Sequence, residues 1–235
     1  AWRGRFHRNL HEEAERLSAR ATAMLRNFDE PDPQSGRAHS TPIETVEALF
    51  EAAGHHFPSI EAEGADAIAQ VLAGAAGMED AATRTLAETL LRRYADDCAR
   101  LPLDRLLPAA QAAGFDPGKL VGLAGGDIAL VLRRLSNLPM VVGGQPVPRF
   151  GLAVCDASGA LLFRRRLPAF SIPRFGAGCP LWPLYQVLSR PNQPDARVIE
   201  MPQGGRFRVW SVAQAVGQTG FGQAPVLQAT MLIAP

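Results

Sequence analysis

The sequence lacks the materials of several common protein classes. Only three cysteines, Cys98, Cys155 and Cys179, occur in 235 residues. They are too few and too scattered for a disulfide framework or a zinc knuckle, and they fit a reducing, cytoplasmic setting. No run of 18 apolar residues exists, so a membrane-spanning helix is not expected. Excess charge of one sign is also missing. Lys+Arg number 24 and Asp+Glu 23, a net charge of +1, which excludes a chain that coats nucleic acid along its length. There is no Gly-x-x-x-x-Gly-Lys phosphate loop and no Gly-x-Ser-x-Gly nucleophile elbow. All five histidines precede residue 57, so a Cys–His nucleophile pair cannot form within the C-terminal half. His7 and His11 lie one helical turn apart. However, the run His11-Glu12-Glu13-Ala14-Glu15 lacks the second histidine of a zinc-protease helix. Neither a metal site nor a cofactor is expected. The pair His55-His56 precedes Pro58 at a helix end, where favourable charge at a helix C-terminus is the simple explanation.

What is present is uneven along the chain. Up to Leu138 there are 15 basic and 20 acidic residues, and from Pro139 onward 9 and 3, so an acidic, Ala-rich half gives way to a basic half rich in Val, Phe, Arg, Gly and Pro. The run from Leu138 to Pro146 marks the expected boundary. Residues 5–28 read as one helix with Leu10, Ala14, Leu17, Ala21, Met24 and Phe28 at alternating steps of four and three. That spacing is the seam of a coiled coil and requires a partner helix, within the chain or across a homodimer. A Pro-rich linker follows.

Thr41-Pro42-Ile43-Glu44 combines a cap, a first-turn proline and a capping-box glutamate, opening a helix whose buried face is Val46, Leu49 and Phe50. Further helices are expected over about 63–74, over 79–100 with Leu86, Leu90, Tyr94 and Cys98 in register, from Leu103, from Asp116-Pro117, and after Asp127. The glycines of Gly122–Gly126 read as a connecting loop. From Val147 the apolar period becomes two. A hairpin is expected from Phe150–Asp156 and Ala160–Arg166 around Ala157-Ser158-Gly159, then a short helix over Leu181–Ser189. Strands follow at Arg197–Met201, Arg206–Val216 and Val226–Ile233. The expected fold class is α+β: an N-terminal coiled-coil-like helix (1–30), a helical domain (41–138) and a small PAS/GAF-like antiparallel sheet domain (147–235).

Candidate ligand contacts concentrate in the loop from Phe170 to Tyr185. Gly176 and Gly178 permit close backbone approach, Arg174 suits a phosphate or carboxylate, and Phe175, Trp182 and Tyr185 suit an apolar or adenine wall beside Cys179. The competing explanation is a loop pinned to the sheet by aromatic packing, with Cys179 a small buried hydrophobe. Arg164 and Arg166 share one face of their strand, opposite Arg165. They suit either a solvated face or a charged rim for an anionic ligand. Asp156 at its strand end suits a turn cap.

The segments Gly151–Gly159, Arg174–Tyr185 with its Cys179-Pro180-x-Trp182 core, and Val198–Pro202 resemble the C-terminal domain of short-chain fatty acyl transcriptional regulators, bacterial proteins of the XRE helix-turn-helix class. The middle segment, from Ala87–Leu91 through Asp116-Pro117 to Ala129–Leu135, resembles the later helices of ImmA/IrrE-type zinc peptidases without their His-Glu-x-x-His helix. The resemblance implies a non-enzymatic, ligand-sensing and dimerising region that receives a short-chain acyl-CoA or related metabolite. It implies DNA contact through an N-terminal domain outside this chain, and no membrane partner. It implies no catalytic residues. The ligand contacts expected from the residues themselves are Arg174, Phe175, Cys179, Trp182, Tyr185, Arg164 and Arg166. Because the chain starts without Met, it reads as a piece of a longer protein; the resembled family often continues into a short Cys-rich tail, which is not part of this sequence.

Overall fold

The computed structural model describes residues 41–168, 170–172, 178–201, 204–217 and 225–235. The seam helix expected over 5–28, its linker, Arg174 and Phe175 lie outside the described residues. Thr41–Pro235 form one compact unit.

The first described helix, α1 (Pro42–Ala52), starts as the sequence dictates. The Thr41 hydroxyl accepts from the Glu44 amide while the Glu44 carboxylate accepts from the Thr41 amide at 2.9 Å, satisfying two otherwise orphaned donors. Side-chain caps from Asp80, Asp116 and Asp127 likewise start α4 (Ala81–Arg100), α6 (Pro117–Leu120) and α7 (Ile128–Ser136). Between α1 and α4 the expected single helix over 63–74 is divided. The chain forms α2 (Pro58–Glu63), a 3-10 turn (Gly64–Ala67) and α3 (Ile68–Ala73). Gly64 takes a left-handed φ of 68°, a conformation glycine tolerates and a continuous α-helix does not. The helix from Leu103 is α5 (Leu103–Ala112), and it carries Pro108 inside it.

Where the sequence suggested only a boundary, Gly143-Gly144 turns a small hairpin between β1 (Val141–Val142) and β2 (Gln145–Pro146). The main sheet comprises β3 (Gly151–Asp156), β4 (Leu161–Arg165), β5 (Asp195–Glu200), β6 (Arg206–Val216) and β7 (Val226–Ala234), all antiparallel in the order β4-β3-β7-β6-β5. The fold is α+β. A single turn, α8 (Pro183–Gln186), and a 3-10 turn over Val187–Ser189 connect β4 to β5.

Both faces of the sheet are covered, which is why β3 is apolar at nearly every position instead of alternating. One face presents Leu152, Val154, Phe163, Val212 and Leu232 to a core shared with the helices, including Phe50, Leu91 and Leu132. The other presents Ala153, Val209, Ala213, Ala229, Met231 and Ile233 to Trp182, Leu184 and Val187. The helical core thus runs across residue 138, and the compositional shift there coincides with a change of secondary structure inside one compact unit.

Candidate functional site

A cavity of about 550 Å³ lies between the helices and the sheet, in the size range of small-molecule sites. Leu152, Val154, Leu162 and Phe163 form its sheet side, Ile43 and Phe50 come from α1, and Leu86 and Leu90 come from α4. Leu86 and Leu90 keep the helical period expected of them but are only partly buried. The fully packed face of α4 is Ala87, Leu91, Tyr94, Ala95 and Cys98. One helix therefore carries two apolar stripes, one filling the core and one lining empty space.

The cavity is polar at one end. Arg93, Asp96, Asp97, Arg133 and Gln228 line both it and an adjoining recess of about 390 Å³, which adds Arg100 and Asp127. Here Arg133 grips Asp97 through two bonds of 2.7 Å and Arg100 meets Asp127 at 2.7 Å. Arg93 differs: its guanidinium donates to the neutral amide oxygen of Gln228 at 2.7 Å. Burial, and then the neighbouring Arg133 charge, push its pKa down. Among the described residues no carboxylate hydrogen-bonds to Arg93, although the Asp97 and Asp127 charges act on it, and such a cation at the lip of an apolar chamber suits an amphipathic anion.

Those of the sequence-derived contact residues that the structure describes lie elsewhere. Trp182 is 7% exposed and sits in the core on the sheet's opposite face, its ring 5.2 Å from that of Phe170. A Cβ on Gly178 would lie 2.5 Å from the indole, so the glycine is what lets the ring pack down. The Gly178 amide donates to the Tyr185 hydroxyl at 2.6 Å. Cys179 is exposed, contrary to its reading as a small buried hydrophobe. In the described residues, then, the Cys-Pro-x-Trp turn is fastened to the sheet by its aromatic rings. Arg164 and Arg166 do share a face and line a second recess of about 390 Å³ with Glu44, Glu47, Glu51 and His55 of the α1 region. Arg166 is exposed. Arg164 is not on a solvated face: it is 3% exposed and holds Glu47 at 2.6 and 2.9 Å. Asp156 caps its turn, accepting from the amides of Ser158 and Ala160. Cys155 is buried, and that burial pushes its thiol up to about 12, which leaves it inert as a nucleophile at neutral pH.

The charge–dipole explanation for His55-His56 is overturned. His55 is 1% exposed, and burial pushes its pKa down to about 4, aided by the Arg165 charge. Burial lowers His56 as well. Both rings are neutral at pH 7. His56 borders a buried network in which Arg134, fully buried, holds Glu61 at 2.8 and 3.0 Å, and the Tyr94 hydroxyl donates to the same carboxylate at 2.8 Å. Burial works against the Glu61 charge, but Arg134 and Tyr94 hold its pKa below the usual range. This network ties α2, α4 and α7 together.

Residues 142–234 match the family model described as "Short-chain fatty acyl coenzyme A regulator, C-terminal". The C-terminal part of the chain is therefore similar to this regulator domain. Two curated relatives are transcriptional regulators. The HTH-type transcriptional regulator RamB of Mycobacterium tuberculosis is 28% identical over 138 residues, 58% of this chain and 28% of RamB. The HTH-type transcriptional regulator PrpR of the same organism is 29% identical over 142 residues, 59% of this chain and 28% of PrpR. The chain spans well under a third of either relative. A solved structure, a Mycobacterium tuberculosis transcriptional regulator, superposes with a TM-score of 0.59 at 21% identity, covering 82% of this chain and 55% of that one. This likeness establishes the fold. Among the described residues no helix is long and apolar enough to cross a membrane.

Proposed function

We propose that this chain is the ligand-sensing and dimerising region of a cytoplasmic bacterial transcriptional regulator, with a short-chain acyl-CoA or related metabolite as ligand and DNA contacted through a domain outside it. The observation that carries the reading is the match of residues 142–234 to a fatty acyl coenzyme A regulator domain, whose β3 and β4 line an apolar chamber with Arg93 at its polar end. A short acyl group is apolar and its coenzyme is anionic, so the two ends of the chamber correspond to the two ends of the ligand. Occupancy would favour one arrangement of α4 against the sheet, and such differential binding is what shifts a two-state regulator. The seam helix over residues 5–28 would carry that shift between the subunits of a homodimer. No catalytic role is assigned to any residue.

The test is calorimetric titration of the purified 235-residue chain with acetyl- and propionyl-CoA. Binding is expected in the wild type, and Leu90→Trp, which fills the chamber, is expected to weaken it at least tenfold. Equal binding by both proteins would move the ligand out of the chamber and back to the Arg174–Tyr185 loop. Absence of binding in the wild type would leave a protein-interaction module.

A further inference from the structure

Beneath the end of α1 lies a second cluster, built from charge instead of apolar surface. Arg165 on β4 is 3% exposed, yet among the described residues its guanidinium makes neither an ion pair nor a hydrogen bond, and its Nε is buried without a partner. Buried arginines are normally paired. Burial and the nearby Arg149 charge depress its pKa to about 10, so it remains a cation at neutral pH. Arg149 also leaves a buried Nε unpartnered, and His55 leaves a buried Nδ1 unpartnered. The single carboxylate among these three, Glu51, has spent both oxygens: Oε1 accepts from Arg149 at 2.5 Å and Oε2 meets His55 Nε2 at 2.9 Å. Its neighbour Glu47 is taken by Arg164. With His55 neutral, the cluster of Arg149, Arg165, Glu51 and His55 has a net charge of +1 and three unmatched polar atoms. His55 holds a left-handed φ of 59°, a conformation that His, like Asn and Asp, adopts more readily than other non-glycine residues. Glu51 and His55 also line the recess beside Arg164 and Arg166.

We propose that Arg165 and Arg149, beside the neutral His55 ring, form a binding site for a small oxyanion, a phosphate or carboxylate group. The anion would accept from the two arginine Nε–H groups and neutralise the excess charge. An oxyanion is the chemical class that fits, because the unmatched arginine groups are donors and only an acceptor carrying negative charge satisfies both conditions. The inference does not depend on acyl-CoA occupying the chamber. The two sites share no binding residue, although the His55 ring lies 6.1 Å from Phe50 and 6.3 Å from Phe163, both of which wall the chamber.

The experiment is a titration of the 235-residue chain with inorganic phosphate, and separately with acetate, at ionic strength held constant with chloride. Thermal unfolding and the 15N shifts of the His55 ring are followed. A saturable rise in Tm with a matching change at Nδ1 is expected, and Arg165→Gln should weaken the apparent affinity at least tenfold. Arg149→Gln, at a more exposed position, gives the same readout if Arg165→Gln fails to fold. Arg190→Gln, a surface arginine paired with Asp195, should leave binding unchanged. Displacement of phosphate by CoA would identify the bound group as part of a larger ligand, and its persistence would identify a free ion. A response no larger than that to chloride, or one equal in wild type and in both cluster variants, would overturn the proposal.

Discussion

The two faces of the central sheet are covered in opposite ways. The face toward α8 is sealed by small and branched residues, with Trp182 pressed onto Gly178 and Phe170. The face toward the helices mixes Leu152, Val154 and Phe163 with a cavity of about 550 Å³ and with arginines on its rim. Close packing gives stability, whereas unfilled apolar space leaves room for a ligand or a rearrangement. The aromatic loop that draws the eye in the sequence therefore serves, in its described part, to anchor a turn. The space suited to a ligand lies under ordinary leucines.

The largest effect expected from this contrast is on stability. Trp182→Ala should cost about 3–5 kcal/mol, as for other buried aromatic truncations, because the packed face cannot collapse around the hole. Leu90→Ala removes a side chain that already borders empty space and should cost less than about 2 kcal/mol, below the usual core range. Urea denaturation of the two variants checks the order. Equal losses would mean that both faces are packed alike.

A smaller effect distinguishes the helical side by pH. Burial pushes the His55 pKa down to about 4 in the folded chain, from an ordinary value of 6.5. Between these values the unfolded chain binds the proton and the folded chain does not, so stability falls as pH drops from about 6.5 to 4 and levels off below. At roughly 1.4 kcal/mol per pKa unit the loss is about 3 kcal/mol. His56, lowered in the same direction by burial, adds to it. His55→Gln should flatten this part of the profile in urea midpoints measured from pH 8 to 4. An unchanged profile would assign the acid sensitivity to other groups.

Local signals in the sequence were legible where a short segment decides its own structure. Thr41 and Glu44 specify the start of α1 within four residues, and Asp116 and Asp127 do the same for α6 and α7. The apolar runs bounded by turn residues located the five strands of the main sheet, β3 included although it does not alternate. What escaped depends on distant partners. Arg164 reads as a surface strand residue until Glu47, 117 positions away, is folded against it. Arg165 reads as its exposed or buried alternate with equal ease. Leu86 and Leu90 match the helical period as well as Leu91 does, yet periodicity identifies an apolar direction without saying whether anything fills it. The turn at Gly143-Gly144 was visible as glycines, but its two-residue strands are too short for any alternating pattern. The seam helix and Arg174 lie outside the described residues and keep the standing of sequence expectations.

The smallest predicted effect sharpens the functional side of the comparison. If the chamber holds an acyl chain, its depth sets the preferred chain length, and Leu86 on α4 is one of its walls. Leu86→Ala removes three carbons from that wall without touching Arg93 or its partner Gln228. Each further methylene buried is worth about 0.8 kcal/mol, close to fourfold in affinity. The variant should therefore shift preference from propionyl-CoA toward butyryl-CoA by about that factor, while CoA without an acyl group binds as in the wild type. Calorimetric titration with the three ligands measures the ratio directly, independent of any general loss of stability, because it compares ligands on the same protein. An unchanged ranking would show that the acyl group lies elsewhere, and it would remove the helix-facing cavity from the sensing mechanism.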